Sequence, residues 1–472
     1  MKSDKNQLTT LITPIKPILQ AIIDAGGTPY AVGGSVRDHV LQRPLKDLDI
    51  EVHGLEIERL EGVLRTFGSV ELIGKQFGVL KLLSHEFGSV DWSLPRSDSL
   101  GRKPTVTINP HLGIAEACRR RDITMNAMAV DLGQLLNSGS VTIIDPYGGL
   151  DDIAMGQIRA VDEKLFLEDP LRFFRVMQFI GRFQMQPDTD LDNLCAHMTL
   201  QDPATGAPLA LERITEEIKK LLLLSHNPSR GLRWIAAIGR LRELYPELAD
   251  LQETPQRPDY HPEGNVFEHS MQALDASARL RDQGLFKDPA ESYLLMLSSL
   301  CHDLGKASTT TPDLHAHGHE MAGVQPTQQL LKRMTNDQGV IKAACKIVRH
   351  HLAPRILVKD NSSAKAYKRL AARLAPDVTL RQLGLVALCD WQGRNGDSHE
   401  PLSLYHDRYA AFLQCATDAA VLHGPEAPIL LGRHLLDVVQ PGPALGKMLE
   451  HAYEIQIEEG VTDPEALKRR VL

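Results

Sequence analysis

The stretch AVGGSVRDHVLQRPLKDLDIEV, Ala31 to Val52, decides how the amino-terminal third of this chain is read. Its last residues form a strand-like apolar run, Leu48 to Val52, entered by Asp47 and Asp49 two residues apart. Side chains alternate between the two faces of a strand, so both carboxylates point the same way. They repel one another unless a divalent cation lies between them. Mg²⁺ suits the pair, because it takes oxygen ligands and shares its coordination shell with substrate phosphates. Upstream, Gly33 and Gly34 close the apolar run Pro29 to Val32 and open a helix. Glycines let a backbone approach a phosphate, and a helix N-terminus presents free N–H groups to it. A Gly-Gly alone is also a plain turn, and a lone Asp-x-Asp is also a solvated strand edge. With Arg37 and Asp38 between them, a phosphate cradle followed by metal carboxylates reads as nucleotidyl transfer.

Outward from this stretch, the chain divides by composition. At 472 residues it exceeds a single core, so two to four domains are expected. Short β-rich runs with glycines (Leu48 to Val52, Val79 to Leu83, Ser89 to Leu94, Val141 to Ile144) mark an α/β part over about the first 150 residues. After Asp151 the apolar residues recur at helical spacing, as in Leu171 to Phe183 and Leu211 to Leu224. The expected units are an N-terminal helical extension over 1–27, containing a helix from Leu8 to Ala25, and an α/β head over 28–150. A helical neck and RNA-binding region over 151–252, a helical metal-binding domain over 262–400 and a C-terminal helical tail over 401–472 complete the chain. Its hydrophobic content of 43% and charged content of 24% are those of a soluble globular protein. The polar first residues and the lack of any span-length apolar segment predict a cytoplasmic chain with no membrane partner. The six scattered cysteines, without a CxxC pair, read as reduced thiols. A net charge of −8 leaves any nucleic-acid contact to local basic stretches: Lys219-Lys220, Arg230 to Arg242, and Lys365, Lys368, Arg369 and Arg373.

Three further motifs carry chemistry. In RRRDITMNAMA, Arg119 to Ala129, consecutive arginines precede an apolar segment that would pin them beside the sheet, where a guanidinium neutralises a triphosphate. In EDPLRFFRVMQ, Glu168 to Gln178, Asp169 lies at a helix start while Arg172 and Arg175 share one face. An aspartate and an arginine held together read a base edge, one accepting and the other donating. Between the head motifs, Pro95 to Pro104 has the Gly, Ser and charged composition of a mobile loop, and Asp91 is a candidate third carboxylate. Finally, His269, the doublet His302-Asp303 and Asp390 stand in apolar helical contexts. Mixed imidazole and carboxylate donors suit a divalent transition metal such as Ni²⁺ or Mn²⁺, which generates a nucleophile from bound water. His315, His317, His319, His350 and His351 are additional candidate ligands or phosphate contacts.

The first string resembles the leading motif of bacterial class II tRNA nucleotidyltransferases, the CCA-adding enzymes, and of their poly(A) polymerase relatives. Arg119 to Ala129 is similar to that family's RRD-x-T-x-NA-x-A motif, and the H…HD…D spacing to the HD phosphohydrolase superfamily. The resemblance implies a polymerase-β-type α/β nucleotidyltransferase head followed by a mostly helical neck, body and HD domain. It implies CTP and ATP as substrates and the 3′ end and acceptor arm of tRNA as partner. Asp47 and Asp49 would hold two Mg²⁺ ions; Gly33, Gly34, Arg37 and Arg121 would hold phosphates; Asn126 would support the site. Asp169 and Arg172 would act as the protein template that selects C or A, with Arg175 a further nucleotide contact. Gln178 stands where many relatives carry arginine, and Glu212-Arg213 would buttress the neck. At the HD centre the implied chemistry is hydrolysis of 2′,3′-cyclic nucleotides, 2′-nucleotides and phosphate esters.

Three alternatives stay open at this level: an enzyme adding only the terminal A, a poly(A) polymerase, and a metal-dependent HD phosphohydrolase with a vestigial head. A non-catalytic RNA-binding scaffold fits two metal constellations poorly. Gly74 to Gly78 lacks the Gly-Arg-Arg-Phe run usual in poly(A) polymerases, and the tail is not strongly basic. The sequence leaves monomer and homodimer equally open.

Overall fold

The computed structural model describes residues 7–45, 48–72, 78–84, 88–98, 106–394 and 402–472. Asp47 lies outside them, as does most of the predicted loop from Pro95 to Pro104 and of the Gly74 to Gly78 run. The chain divides into two units, residues 1–217 and 218–472.

In the first unit, strands β1 (Thr28–Val32), β2 (Ile50–His53), β3 (Ser69–Leu72), β4 (Val79–Ser84), β5 (Gly88–Ser93), β8 (Ala129–Asp131) and β9 (Ile143–Ile144) form one sheet. The short strands β6 (Arg96–Asp98) and β7 (Val106–Ile108) pair separately. The sheet order is β3-β4-β5-β2-β1-β8-β9. β1 runs antiparallel to both β2 and β8, and β2 runs parallel to β5. Alternation then does what the sequence predicted: Ile50 and Val52 are buried in the core, while Asp49 and Glu51 face the other way.

That core also contains Leu8, Ile12, Ile18, Leu19 and Ile22, which pack with Val36, Ile50, Val52 and Trp92. Residues 8–22 therefore pack as part of the head core, where a separate extension over 1–27 was expected. They form two helices, Gln7–Ile12 and Lys16–Asp24, where one was expected from Leu8 to Ala25. Pro14 falls in the intervening turn, where its missing N–H and ring are incompatible with a continuous helix. Helix Leu171–Phe183 of the neck begins directly after Pro170, and Asp169 Oδ1 accepts from Leu171 N–H at 3.1 Å.

The second unit is helical. Helix Pro289–Cys301 is buried from Ser292 to Cys301 on all its faces, as expected of the central helix of a bundle. It packs against helices Val266–Asp282 and Leu380–Gln392. Each of the three starts with a side-chain cap, from Asp288, Asn265 and Thr379 respectively, the last a capping box with Gln382. The last helices, Pro443–Glu459 and Pro464–Val471, share a small separate core of Leu430, Leu435, Leu445, Ala452 and Leu467. Among the described residues no helix is long and apolar enough to cross a membrane.

Candidate active site and metal centre

Gly33 ends β1 with φ of +64°, a conformation that disfavours any residue with a Cβ. A Cβ here would lie 2.5 Å from Arg121 Nη1 and 3.7 Å from Asp49 Oδ2. One on Gly34 would lie 3.4 Å from Arg37 Nη2 and 3.8 Å from Asp49 Oδ2. The backbone sets this convergence, since Val32 N–H donates to the Asp49 carbonyl at 3.0 Å. Asp49, Glu51 and Arg121 also line a cavity of about 280 Å³ together with Ser93, Arg96 and Arg120. A carboxylate over a glycine turn, with a guanidinium across it, fits a Mg²⁺-bound phosphate chain.

Glu51 was missed in the sequence, although the same alternation that pairs Asp47 with Asp49 extends to it. It lies 3.8 Å from Arg121 and accepts from His53 at 2.9 Å. Burial works against its ionisation, but the His53 hydrogen bond and the Arg121 charge hold it below the usual carboxylate range. Asp91 reaches the same sheet face, because β5 pairs with β2 through Glu51↔Ser93. Its carboxylate is exposed and 3.7 Å from Lys81 Nζ.

We expect Gly33→Ala to cost about 1–2 kcal/mol of stability through the left-handed backbone alone. The displaced Arg121 should also raise KM for nucleoside triphosphate at least about tenfold, one broken charged contact being worth some 1.5 kcal/mol or more. Thermal melts and nucleotide titrations would check both.

Arg37 and Arg175 belong to a buried network. Arg37 donates through Nη1 to Asn126 Oδ1 (2.6 Å) and through Nε to Asp38 (2.8 Å), and its guanidinium lies 4.6 Å from the Phe183 ring centroid. Asn126 Nδ2 in turn donates to Asp122 Oδ1 (3.0 Å), whose Oδ2 accepts from Arg175 Nε (2.7 Å). The network joins helix Gly34–Val40 of the head to the neck helix Leu171–Phe183. Asp122 is the aspartate of the RRD motif, and only the fold reveals that it centres the network.

Burial disfavours the Asp122 charge, yet Arg175 and the Asn126 hydrogen bond override it and bring the carboxyl to about 2. The folded value is below that of an unfolded aspartate, about 3.9. Its stabilisation, about 2 kcal/mol, is therefore complete above roughly pH 4 and is lost as pH falls toward 2. The wild type should lose urea resistance across that window, and Asp122→Asn should flatten this part of the pH profile. Urea midpoints measured from pH 5 to pH 2 would check it.

Asp169 and Arg172 are neighbours without an ion pair between them. Asp169 Oδ2 accepts from Arg213 at 3.1 Å, so Arg213 buttresses the pair. Arg172 donates to the carbonyls of Leu165 (2.8 Å) and Arg120 (2.6 Å). Gln178 is buried and accepts from Arg182 at 3.4 Å.

In the second unit, His269 is held by helix Val266–Asp282, His302 and Asp303 follow the end of Pro289–Cys301, and Asp390 lies in Leu380–Gln392. All four are buried. The Nε2 atoms of His269 and His302 are 3.2 Å apart. Asp390 Oδ1 is 3.0 and 3.7 Å from them, and Asp303 Oδ2 is 3.6 and 3.2 Å away. His269 Nδ1 pairs with Glu263 Oε1 (2.8 Å) and His302 Nδ1 with the Ser299 carbonyl (2.7 Å). Both rings are thereby turned so that Nε2 faces the centre, the orientation that metal-bound histidines take. Burial alone would depress His302, but Asp303 and then Asp390 raise it to about 10, a field that favours positive charge at this point. Donor chemistry and geometry both fit a divalent transition metal.

Glu263, which also holds His261 at 2.8 Å, gave no signal beyond a carboxylate six residues before His269. Lys306 Nζ reaches Asp303 Oδ2 at 2.7 Å. Above the centre opens a cavity of about 510 Å³ whose lining includes Arg257, Lys306, His315, His317, Arg355 and Arg394. By contrast, several basic residues singled out for RNA are tied to carboxylates: Arg233 to Glu268, Arg240 to Glu243, Arg242 to Asp250, Lys368 to Glu426 and Arg369 to Glu458.

A nucleotidyltransferase head joined to a histidine–aspartate metal centre defines a class of two-centre enzymes. Residues 29–159 match the Poly A polymerase head domain family and residues 266–390 the HD domain family. A Multifunctional CCA protein of Mannheimia succiniciproducens is 31% identical over 78% of this chain and 84% of its own length. The protein of the same name from Neisseria meningitidis serogroup C is 32% identical over 83% and 88%. This chain belongs to the multifunctional CCA protein family. In fold it is similar to the Bacillus stearothermophilus CCA-adding enzyme solved in complex with CTP, with a TM-score of 0.64 and 21% identity over 98% of this chain and 97% of the other.

Proposed function

We propose that the chain completes or repairs the 3′-terminal CCA of tRNA from CTP and ATP in the cytoplasm, and that its HD domain hydrolyses 2′,3′-cyclic nucleotides, 2′-nucleotides and phosphate esters. The carrying observation is the convergence of Asp49 and Arg121 on the Gly33–Gly34 turn. Asp47 and Asp49 would hold Mg²⁺, which supplies charge neutralisation at the attacking hydroxyl and the departing pyrophosphate. The turn lets the triphosphate approach the backbone, and Arg121 balances its charge from the opposite side. Arg37 presents Nη2 at Gly34 while its other nitrogens fix it to Asn126 and Asp38.

Base choice falls to Asp169 and Arg172, the first accepting from an exocyclic amino group and the second donating to a ring acceptor. For that, Arg172 exchanges its contacts with the Leu165 and Arg120 carbonyls for the base. Arg175 acts through Asp122, positioning the neck helix against the head.

The hydrolytic reading is supported by the four convergent donors beneath a cationic cavity large enough for a mononucleotide. Ni²⁺ or Mn²⁺ would be held there by His269, His302, Asp303 and Asp390.

A tRNA transcript lacking its last three nucleotides should be completed by the purified chain with CTP, ATP and Mg²⁺, and remain unextended with UTP or GTP. After chelation, 2′,3′-cyclic AMP hydrolysis should return with Ni²⁺ or Mn²⁺. Indiscriminate use of all four nucleotides, or no extension, would overturn the first reading. Hydrolysis absent with every metal would overturn the second.

A further inference from the structure

Glu51 is a second carboxylate in the nucleotide cavity, beside Asp49. It follows Asp49 by two residues on the same face of extended chain, and so lies about 7 Å further along the strand. Asp49 Oδ2 reaches the Gly33–Gly34 turn, where phosphates approach the backbone. One step further from that turn, a bare carboxylate only repels a triphosphate. Glu51 therefore serves a different part of the nucleotide.

The hydrogen bonds around it show which oxygen is available. His53 Nδ1 lies 2.8 Å from the Leu112 carbonyl. A carbonyl only accepts, so that nitrogen carries a proton. The other ring nitrogen, Nε2, is 2.9 Å from Glu51 Oε1. His53 is buried between the two and fixes the plane of the carboxylate. Oε2 is left toward Arg121 Nη2 at 3.8 Å, close enough for attraction and too far for a hydrogen bond. Against its burial, the His53 hydrogen bond and the Arg121 charge keep the group ionised. An ionised carboxylate accepts and does not donate, and among the described residues none donates to Oε2.

The donors that a nucleotide carries next to its phosphates are the hydroxyls of its sugar. Carboxylates hold ribose hydroxyls in dinucleotide-binding sites for the same reason. The lining suits a sugar, because Val32, Val79 and Leu94 share the cavity with Glu51 and offer apolar contact to its carbon face. The cavity also reaches in both required directions. At one end is Asp49, over the phosphate turn; at another is Arg120, whose carbonyl accepts from Arg172 at 2.6 Å. Arg172 is the arginine assigned to the base, and the sugar is what joins base to phosphates.

We propose that Glu51 Oε2 accepts a hydrogen bond from the 2′,3′-diol of the incoming ribonucleotide and selects it over deoxy-sugars, with His53 as the residue that positions the carboxylate. Given the reading of the head as a tRNA nucleotidyltransferase using CTP and ATP, on which this assignment rests, one strand face divides the substrate. Asp49 serves the metal-bound phosphates and Glu51 the sugar.

Single-step addition of A to a tRNA transcript ending in CC tests it on the full-length chain with Mg²⁺. kcat/KM is measured for ATP, 2′-deoxy-ATP and 3′-deoxy-ATP. The wild type should prefer ATP at least about tenfold over one or both analogues, as expected where a charged acceptor loses its donor. Glu51→Ala should shrink that preference at least about tenfold, and the analogue that responds identifies the hydroxyl. Glu51→Gln, which keeps the shape and one acceptor oxygen without the charge, should fall between the two. A role confined to holding Arg121 would slow all three nucleotides alike and leave the ratios unchanged. That result in either variant, or a wild type that uses all three equally, would overturn the proposal while leaving CCA addition standing. No addition by the wild type would overturn the reading of the head itself. Should Glu51→Ala not fold, the ratios of Glu51→Gln decide.

Discussion

Asp49→Ala is expected to lower nucleotide addition at least about a thousandfold, a loss of some 4 kcal/mol of transition-state stabilisation. The carboxylate sits over the Gly33–Gly34 turn with Arg121 opposite. Glu51 is on the same strand face but already serves His53 and Arg121. The change should leave the fold intact, because Asp49 faces away from the core into which Ile50 and Val52 point. Hydrolysis of 2′,3′-cyclic AMP should stay within about twofold of wild type, since the donors of the HD centre all lie in the other unit of the chain. Gel-resolved extension of a truncated tRNA, run beside the hydrolysis assay, reads both quantities. Retained addition would remove Asp49 from the catalytic site.

Asp303→Asn should give the reverse pattern. The amide keeps the shape of the carboxylate but loses the negative charge, and its nitrogen is no metal ligand. Asp303 is fully buried and held ionised against that burial chiefly by His302 and Lys306. The variant leaves those two groups without their common partner, and breaking a buried pair from one side costs about 3–5 kcal/mol. Hydrolysis should fall at least about a thousandfold, and the metal content of the HD centre should drop with it. CCA addition should persist at temperatures below the lowered melting point. Hydrolysis near the wild-type level would contradict the assignment of Asp303 as a ligand.

What was legible in the sequence is what depends on local geometry. The period-two alternation of a strand put Asp49 on the site face, and the paired glycines announced the turn that Gly33 makes at positive φ. Apolar helical surroundings around His269, His302 and Asp390 announced a bundle in which the three would meet. Other features depended on tertiary contacts that spacing does not encode. The N-terminal helices complete the head core because Leu8, Ile12 and Ile18 find Val36 and Trp92 there. Arg172 turns to backbone carbonyls, and Asp169 turns to Arg213 from a later helix. The basic runs looked free in sequence, yet Arg233, Arg240 and Arg242 find carboxylates in the fold. Asp303 Oδ1 is the clearest case, since it faces His319 Nε2 at 3.2 Å. A doublet in the sequence names the residue, but only the packing of Gly305 beneath the His319 turn says what its other side faces.

The most direct test of the central claim is end-resolved incorporation. Three tRNA transcripts, ending before the first C, after the first C and after the second C of the terminus, are incubated with CTP, ATP or both in the presence of Mg²⁺. Growth of all three to the same full-length CCA end, with A added only after the second C, is the predicted result. Extension confined to the transcript ending in CC with ATP alone, or long adenosine tails on any of the three, would contradict it.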